Sequence, residues 1–230
     1  MTSAPLVSVR GEATVEADPE LAALSITVIA RDADRAKTLS VLSERAAAVT
    51  ALIERFGSGI ERSSTSALHV YPELADKRAE RVRRYAGRTT HSITVKDFEV
   101  LSRLISAAAE IELCEISGPW WQLRADSPVY RSARLAAVRD AMLRAREYAE
   151  AFGAEITGLV EVADQGMSAA GTGPGIFSAA ATMTTKSYDA ADQPFFDLEP
   201  ARQEVTGQVE ARFTMSEPSL SAGAPSPGTR

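Results

Sequence analysis

The chain has a single cysteine, Cys114, among 230 residues, so no disulfide can form within it. Asparagine is absent altogether, which removes every N-glycosylation acceptor. Histidine is limited to His69 and His91, and imidazole acid–base chemistry has no other source in this sequence. Lysine is scarce: the 25 basic side chains are nearly all arginine. No apolar run approaches the roughly 20 residues that a helix needs to span a bilayer. The opening Met-Thr-Ser-Ala-Pro is not a charged start followed by an apolar core, so no secretory signal is visible and a cytoplasmic location is expected. With 31 acidic residues against 25 basic ones, the net charge is −6. That balance works against general attraction to nucleic acid or an anionic membrane. No nucleic-acid partner is expected.

Hydrophobic residues make up 45% and charged residues 24%, an ordinary globular composition. Leu6 to Val15 alternates as a half-buried strand, with Val7, Val9, Ala13 and Val15 on one parity. Asp18-Pro19 marks a turn, and Leu24 to Ile29 reads as a second strand. A helix capped by Asp32 or Asp34 follows, with a stripe of Leu39, Leu42, Ala46, Val49, Ile53 and Phe56, and it stops at Gly57 and Gly59. Ile60 to Tyr71 reads as a strand closed by Pro72. Arg83 to Val95 is its hairpin return across the charged stretch from Glu73 to Arg81.

Asp97 opens a second helix, with Phe98, Leu101, Ile105 and Ala108 on one stripe. Ile111 to Arg124 is a further strand, bent at Gly118-Pro119. Asp126 or Ser127 before Pro128 starts a third helix, which runs to Phe152 with an expected apolar stripe of Leu135, Val138, Met142, Ala145, Ala149 and Phe152. Ile156 to Val162 and Glu204 to Met215 read as strands. The Gly/Ala/Ser/Thr-rich segment 164–200 between them reads as a flexible insert or arm, and 216–230 as a disordered tail. The expected fold is α+β: antiparallel or mixed β-sheets covered by three amphipathic helices.

No catalytic motif emerges. Gly166 to Gly171 has the wrong spacing for a nucleophile elbow. Gly171, Gly173 and Gly175 lack the following Gly-Lys-Ser/Thr of a phosphate loop. His69 and His91 are too few for a metal site, with the cysteine elsewhere. Cys114 reads as a small buried hydrophobe. Lys77, Arg78, Arg81, Arg83, Arg84 and Arg88 are partly neutralised by Glu73, Asp76 and Glu80 and read as a solvated hairpin. No catalytic, cofactor or metal residue is assigned, no cofactor is expected, and the chain is read as not an enzyme.

Trp120-Trp121 is the main oddity. In a regular strand one tryptophan enters the core and the other faces outward. Together with Phe177, Phe195 and Phe196 in the 164–200 segment, the pair forms the expected interface set, and a homo-oligomer is the expected partner state. The alternative is a small-molecule pocket between sheet and helices, closed by the 164–200 segment.

Several segments carry a resemblance to a known family. Val7-Ser8-Val9-Arg10-Gly11-Glu12-Ala13 followed by Ala17-Asp18-Pro19 is one. Tyr85-Ala86-Gly87-Arg88 leading to Ser92-Ile93-Thr94-Val95 is another. Arg134 to Ala141, continuing through Arg144-Ala145 to Ala149-Glu150-Ala151-Phe152-Gly153, is a third, and Glu204 to Ala211 a fourth. In this order and spacing, over residues 6 to 215, the chain resembles SIMPL-domain proteins. The resemblance implies one α+β domain over 6–215 and no catalytic residues to carry over. It also implies a link to oxidative or envelope stress and, as in some members, ring-like or barrel-like assembly. Many members are periplasmic.

Overall fold

The structure, a computed structural model, describes residues 4–66, 68–74, 82–167 and 198–219. Segment 168–197, with Phe177, Phe195 and Phe196, and the end of the chain from 220 lie outside the described residues. So do Lys77, Arg78 and Arg81. The elements run β1 (Leu6–Ala17), β2 (Leu21–Asp32), α1 (Arg35–Arg55), β3 (Ile60–Thr65), β4 (His69–Leu74), β5 (Val82–Val95), α2 (Phe98–Ala109), β6 (Cys114–Gln122), α3 (Pro128–Ala151), β7 (Ile156–Ala163) and β8 (Gln203–Met215). This is the expected α+β class: antiparallel ladders and three helices. The described residues divide into two compact units, 4–17 with 125–167 and 204–219, and 18–124 with 198–203.

One unit holds a five-stranded sheet ordered β3-β5-β2-β6, with β4 also pairing β5. Leu24, Ile26 and Val28 share the core face with Ile93 and Val95, because their partners in the register keep the same parity. Against that face pack Leu42, Val49, Leu52 and Ile53 of α1 and Val100, Leu101, Leu104 and Ile105 of α2. Both helices begin as the sequence implies. Asp34 accepts from the backbone N–H groups of Ala36 and Lys37, and Asp97 from those of Glu99 and Val100.

In α1 the buried stripe takes in Thr38 and leaves Leu39 exposed. Threonine is accepted under the helix because its hydroxyl donates to the Asp34 carbonyl at 2.9 Å.

The strand read from Ile60 to Tyr71 is two strands. β3 covers the 91–95 half of β5, and β4 covers the 82–88 half. Pro72 does not end β4 but lies inside it, opposite Tyr85. Among the described residues β4 pairs with β5 alone, so a residue lacking N–H is tolerated at that edge. The bend expected in β6 is present: Gly118 has φ +111°, a conformation that favours glycine, and the ladder to β2 shifts between Ala23 and Ser25.

The second unit is a three-stranded sheet, β1-β8-β7, with α3 on one face. Val9, Val209, Ala211 and Phe213 point to the helix. The helix does not answer with the stripe its large apolar residues suggest. Its buried residues are Ala133, Ala137, Ala141, Ala145 and Ala149. A methyl at Gly11 would collide with the Ala137 carbonyl, and one at Gly207 with that of Ala133. The helix therefore lies so close to the strands that only alanine and glycine fit between them. Ser127 caps it, accepting from Val129 N–H. Asp140 accepts from Glu12 N–H at 2.9 Å and pairs with Arg144 at 2.8 Å, tying the helix to β1.

Candidate functional site

With its alanines turned inward, α3 presents its larger side chains outward. Leu135, Val138 and Met142 are 41%, 37% and 39% exposed, although the spacing of apolar residues had put them in the core stripe with Phe152, which is exposed too. Ala145 and Ala149 are the two members of that stripe that are buried. Leu143 and Tyr148 add further exposed apolar surface. In the same unit β7 pairs with β8 alone among the described residues, which makes it an edge strand of the described sheet. Leu159, Val160 and Val162 on that strand are exposed. The sequence contained the missed signal: alanine at every fourth position from 133 to 149, matched by Gly11 and Gly207.

The tryptophans separate as their adjacency requires. Trp121 pairs with Ala22 and turns to the core face, where its ring meets Phe98 edge-on at 4.9 Å between centroids. Trp120 pairs with Ala23 and is exposed on the opposite face. Trp121 is therefore occupied within its own unit, and of the pair Trp120 alone is open to a partner.

The histidines do not meet. His69 pairs with Arg88, and His91 with Ile26 and Thr65, three residues further along β5 and so on the other face. His91 is 2% exposed, and its Nδ1 lies 3.1 Å from Thr65 Oγ1. That places a hydroxyl beside an imidazole, but Nε2 has no partner among the described residues, so no third group orients the ring as in a catalytic triad. Burial holds the imidazole below its usual range. Among the described residues no three His, Cys, Asp or Glu side chains converge as metal ligands.

Among the described hairpin charges, Glu73 is paired. Arg84 Nε donates to Glu73, and Arg31 lies 3.6 Å from the same carboxylate. The Arg84 hydrogen bond, with Arg84, Arg31 and Arg83 as nearby cations, holds Glu73 below the usual carboxylate range against a smaller opposing effect of desolvation. Cys114 is half-buried, and burial, reinforced by the charge of Glu115, raises its thiol.

A shallow recess of about 340 Å³ lies on the polar face of the three-stranded sheet. Ser8, Arg10, Glu161, Glu210 and Arg212 line it. Its charges neutralise each other, Arg10 with Glu210 at 2.9 Å and Arg212 with Glu161 at 3.6 Å. A second recess lies at the start of α3, between Ala125 and Arg134. Neither is lined by a tryptophan. Among the described residues no helix is long and apolar enough to cross a membrane.

Among curated proteins, the chain is 29% identical over 153 residues to the uncharacterized protein YggE of Edwardsiella ictaluri. The match takes in 65% of this chain and 63% of that protein, so the chain spans less than two thirds of its relative's length. Among solved structures, the crystal structure of a Burkholderia cenocepacia protein proposed to be an amidohydrolase/peptidase aligns with a TM-score of 0.31 at 16% identity, over 56% of this chain and 33% of that one. A likeness that slight carries no argument. The family model for SIMPL, a protein of unknown function (DUF541), matches residues 7–213, nearly the whole of both units. The chain belongs to the SIMPL family.

Proposed function

We propose that this SIMPL protein is a non-enzymatic, self-associating module, and that the α3–β7 side of its three-stranded unit forms the contact between copies. The observation that carries the proposal is the inversion of α3: alanines bury, and Leu135, Val138 and Met142 face outward. Such a helix gains little from its own unit for its larger side chains. Each of them would add roughly 1 kcal/mol or more if covered, on the scale of apolar transfer.

β7 supports the same reading. Ile156–Ala163 contains neither lysine nor proline, residues that commonly blunt an open edge, although its ladder to β8 shifts register between Ile156 and Gly158 and between Leu159 and Glu161. A second copy offers a matching edge and a matching apolar helix face, the self-complementary arrangement of a two-fold interface.

Sedimentation velocity tests the proposal. The wild-type protein is expected to sediment as a multiple of 24.5 kDa. The Val138→Glu/Met142→Glu variant, with unchanged far-UV circular dichroism, is expected at the mass of one chain. Wild-type protein that remains a single chain at high concentration would overturn the proposal.

A further inference from the structure

His91 occupies a place where a charge has no support. It points to the core face of the five-stranded sheet, between Ile26 of β2 and Thr65 of β3. Its neighbours on β5 along that face are Thr89 and Ile93, both buried. The ring's one hydrogen-bond partner among the described residues is the Thr65 hydroxyl. That contact serves either protonation state, because a hydroxyl both donates and accepts. Nε2 differs: it is buried and unpartnered among the described residues. A neutral ring can present an unprotonated nitrogen there, whereas an imidazolium must bury an N–H that finds no acceptor.

The elements packed around the ring bring no countercharge. On β2 the facing side chains are Leu24, Ile26 and Val28. On α2, Glu99 and Arg103 are exposed and the inward residues are apolar. On α1, Arg35, Lys37, Glu44, Glu54 and Arg55 are exposed. Arg45 alone reaches inward, and its guanidinium is engaged by the Ile29 carbonyl at 2.7 Å and lies 3.8 Å from Glu112. A cation there would in any case oppose a second one. On β4, His69 and Glu73 pair with Arg88 and Arg84, on the opposite face of the sheet. On β3, Glu61 and Arg62 are exposed.

The strand beside His91 is short and lies at the edge of its sheet. β3 is six residues long and has five exposed residues after a half-buried Ile60. Releasing β3 is the shortest route by which a protonated His91 reaches water.

We propose that His91 is an acid sensor built into this unit: protonation of its ring frees the edge strand β3 while the three-stranded unit stays folded. The sign follows from burial. The folded protein holds His91 below the ordinary imidazole value of 6.5, so below that pH the unfolded or opened form binds a proton that the closed form refuses. Closure is complete above this value. It weakens by up to about tenfold per pH unit as the pH falls, until the closed form takes up the proton as well.

Two measurements test the proposal between about pH 8 and pH 5, the range over which histidine titrates. The first is the imidazole titration of His91 in the wild-type protein by NMR. His91 is expected to titrate below the ordinary imidazole value of 6.5, and titration at or above that value would overturn the proposal. The second is amide hydrogen exchange. Protection of the Ser64 and Ser66 amides, whose N–H groups point to β5, is expected to fall by up to about tenfold per pH unit relative to the intrinsic rate, while Val209 to Phe213 keep theirs. His91→Gln is expected to flatten that dependence. Loss of protection that is equal in β3 and β8, or unchanged in His91→Gln, would overturn it. If His91→Gln does not fold, the wild-type titration and exchange pattern still decide the matter.

Discussion

Gly11 of β1 lies directly under Ala141 of α3: a methyl group on the glycine would stand 2.6 Å from the Ala141 backbone nitrogen and 2.7 Å from its Cβ. This contact sets the character of the whole unit. Because strand and helix backbones nearly touch, the helix buries only its smallest side chains. Its large ones are left to face away.

Gly11→Ala is therefore expected to lower stability by about 1–3 kcal/mol, the usual cost of overpacking. Gly57→Ala is the control. No atom lies within 4 Å of its new methyl, and the change is expected to stay within about 0.5 kcal/mol of neutral. Urea midpoints of the two variants make the comparison.

The two tryptophans are expected to behave differently on truncation. Trp121→Ala removes a ring packed on Phe98 and is expected to cost about 2–3 kcal/mol, somewhat less than a fully buried tryptophan. Trp120→Ala removes an exposed ring and is expected to change stability by less than about 1 kcal/mol. Fluorescence of the single-tryptophan proteins checks the placement, with the Trp121 emission at the shorter wavelength.

The helix caps give a third expectation. Asp34→Ala and Asp97→Ala each delete a side chain that accepts from two backbone N–H groups at a helix start. Each is expected to cost about 1 kcal/mol. Thermal melts of the singles and the double variant read both the size and the additivity.

Cys114 is expected to react slowly with a disulfide probe such as DTNB. Burial and the Glu115 carboxylate both keep the thiol protonated, and the thiolate is the reactive species. The folded protein should label more slowly than the same chain in denaturant, and its rate should rise with pH. Equal rates in the two states would show that the thiol is not shielded.

Much of the fold was legible because it rests on local chemistry. Asp34, Asp97 and Ser127 each start a helix where a capping residue precedes an apolar stripe. The alternation in β1 and β8 shows which residues face inward, because period two admits only two faces. The family, too, was readable from short segments in a fixed order. The division of Ile60 to Tyr71 into two strands was not, because β5 selects which of those residues pair and does so across a gap in sequence. For the same reason the sequence did not reveal that the register sends the two histidines to opposite faces.

By itself, then, the sequence determined the kinds of element, most of their starting points and the alternation of faces along each strand, since these depend on residues a few positions apart. Only the tertiary structure decided which side of α3 is inside. Leu135, Val138 and Met142 are more hydrophobic than the alanines beside them, and any local measure ranks them as core. Gly11 and Gly207, distant in sequence, bring the strand backbones so close that volume outranks hydrophobicity, and the alanine side wins the interior.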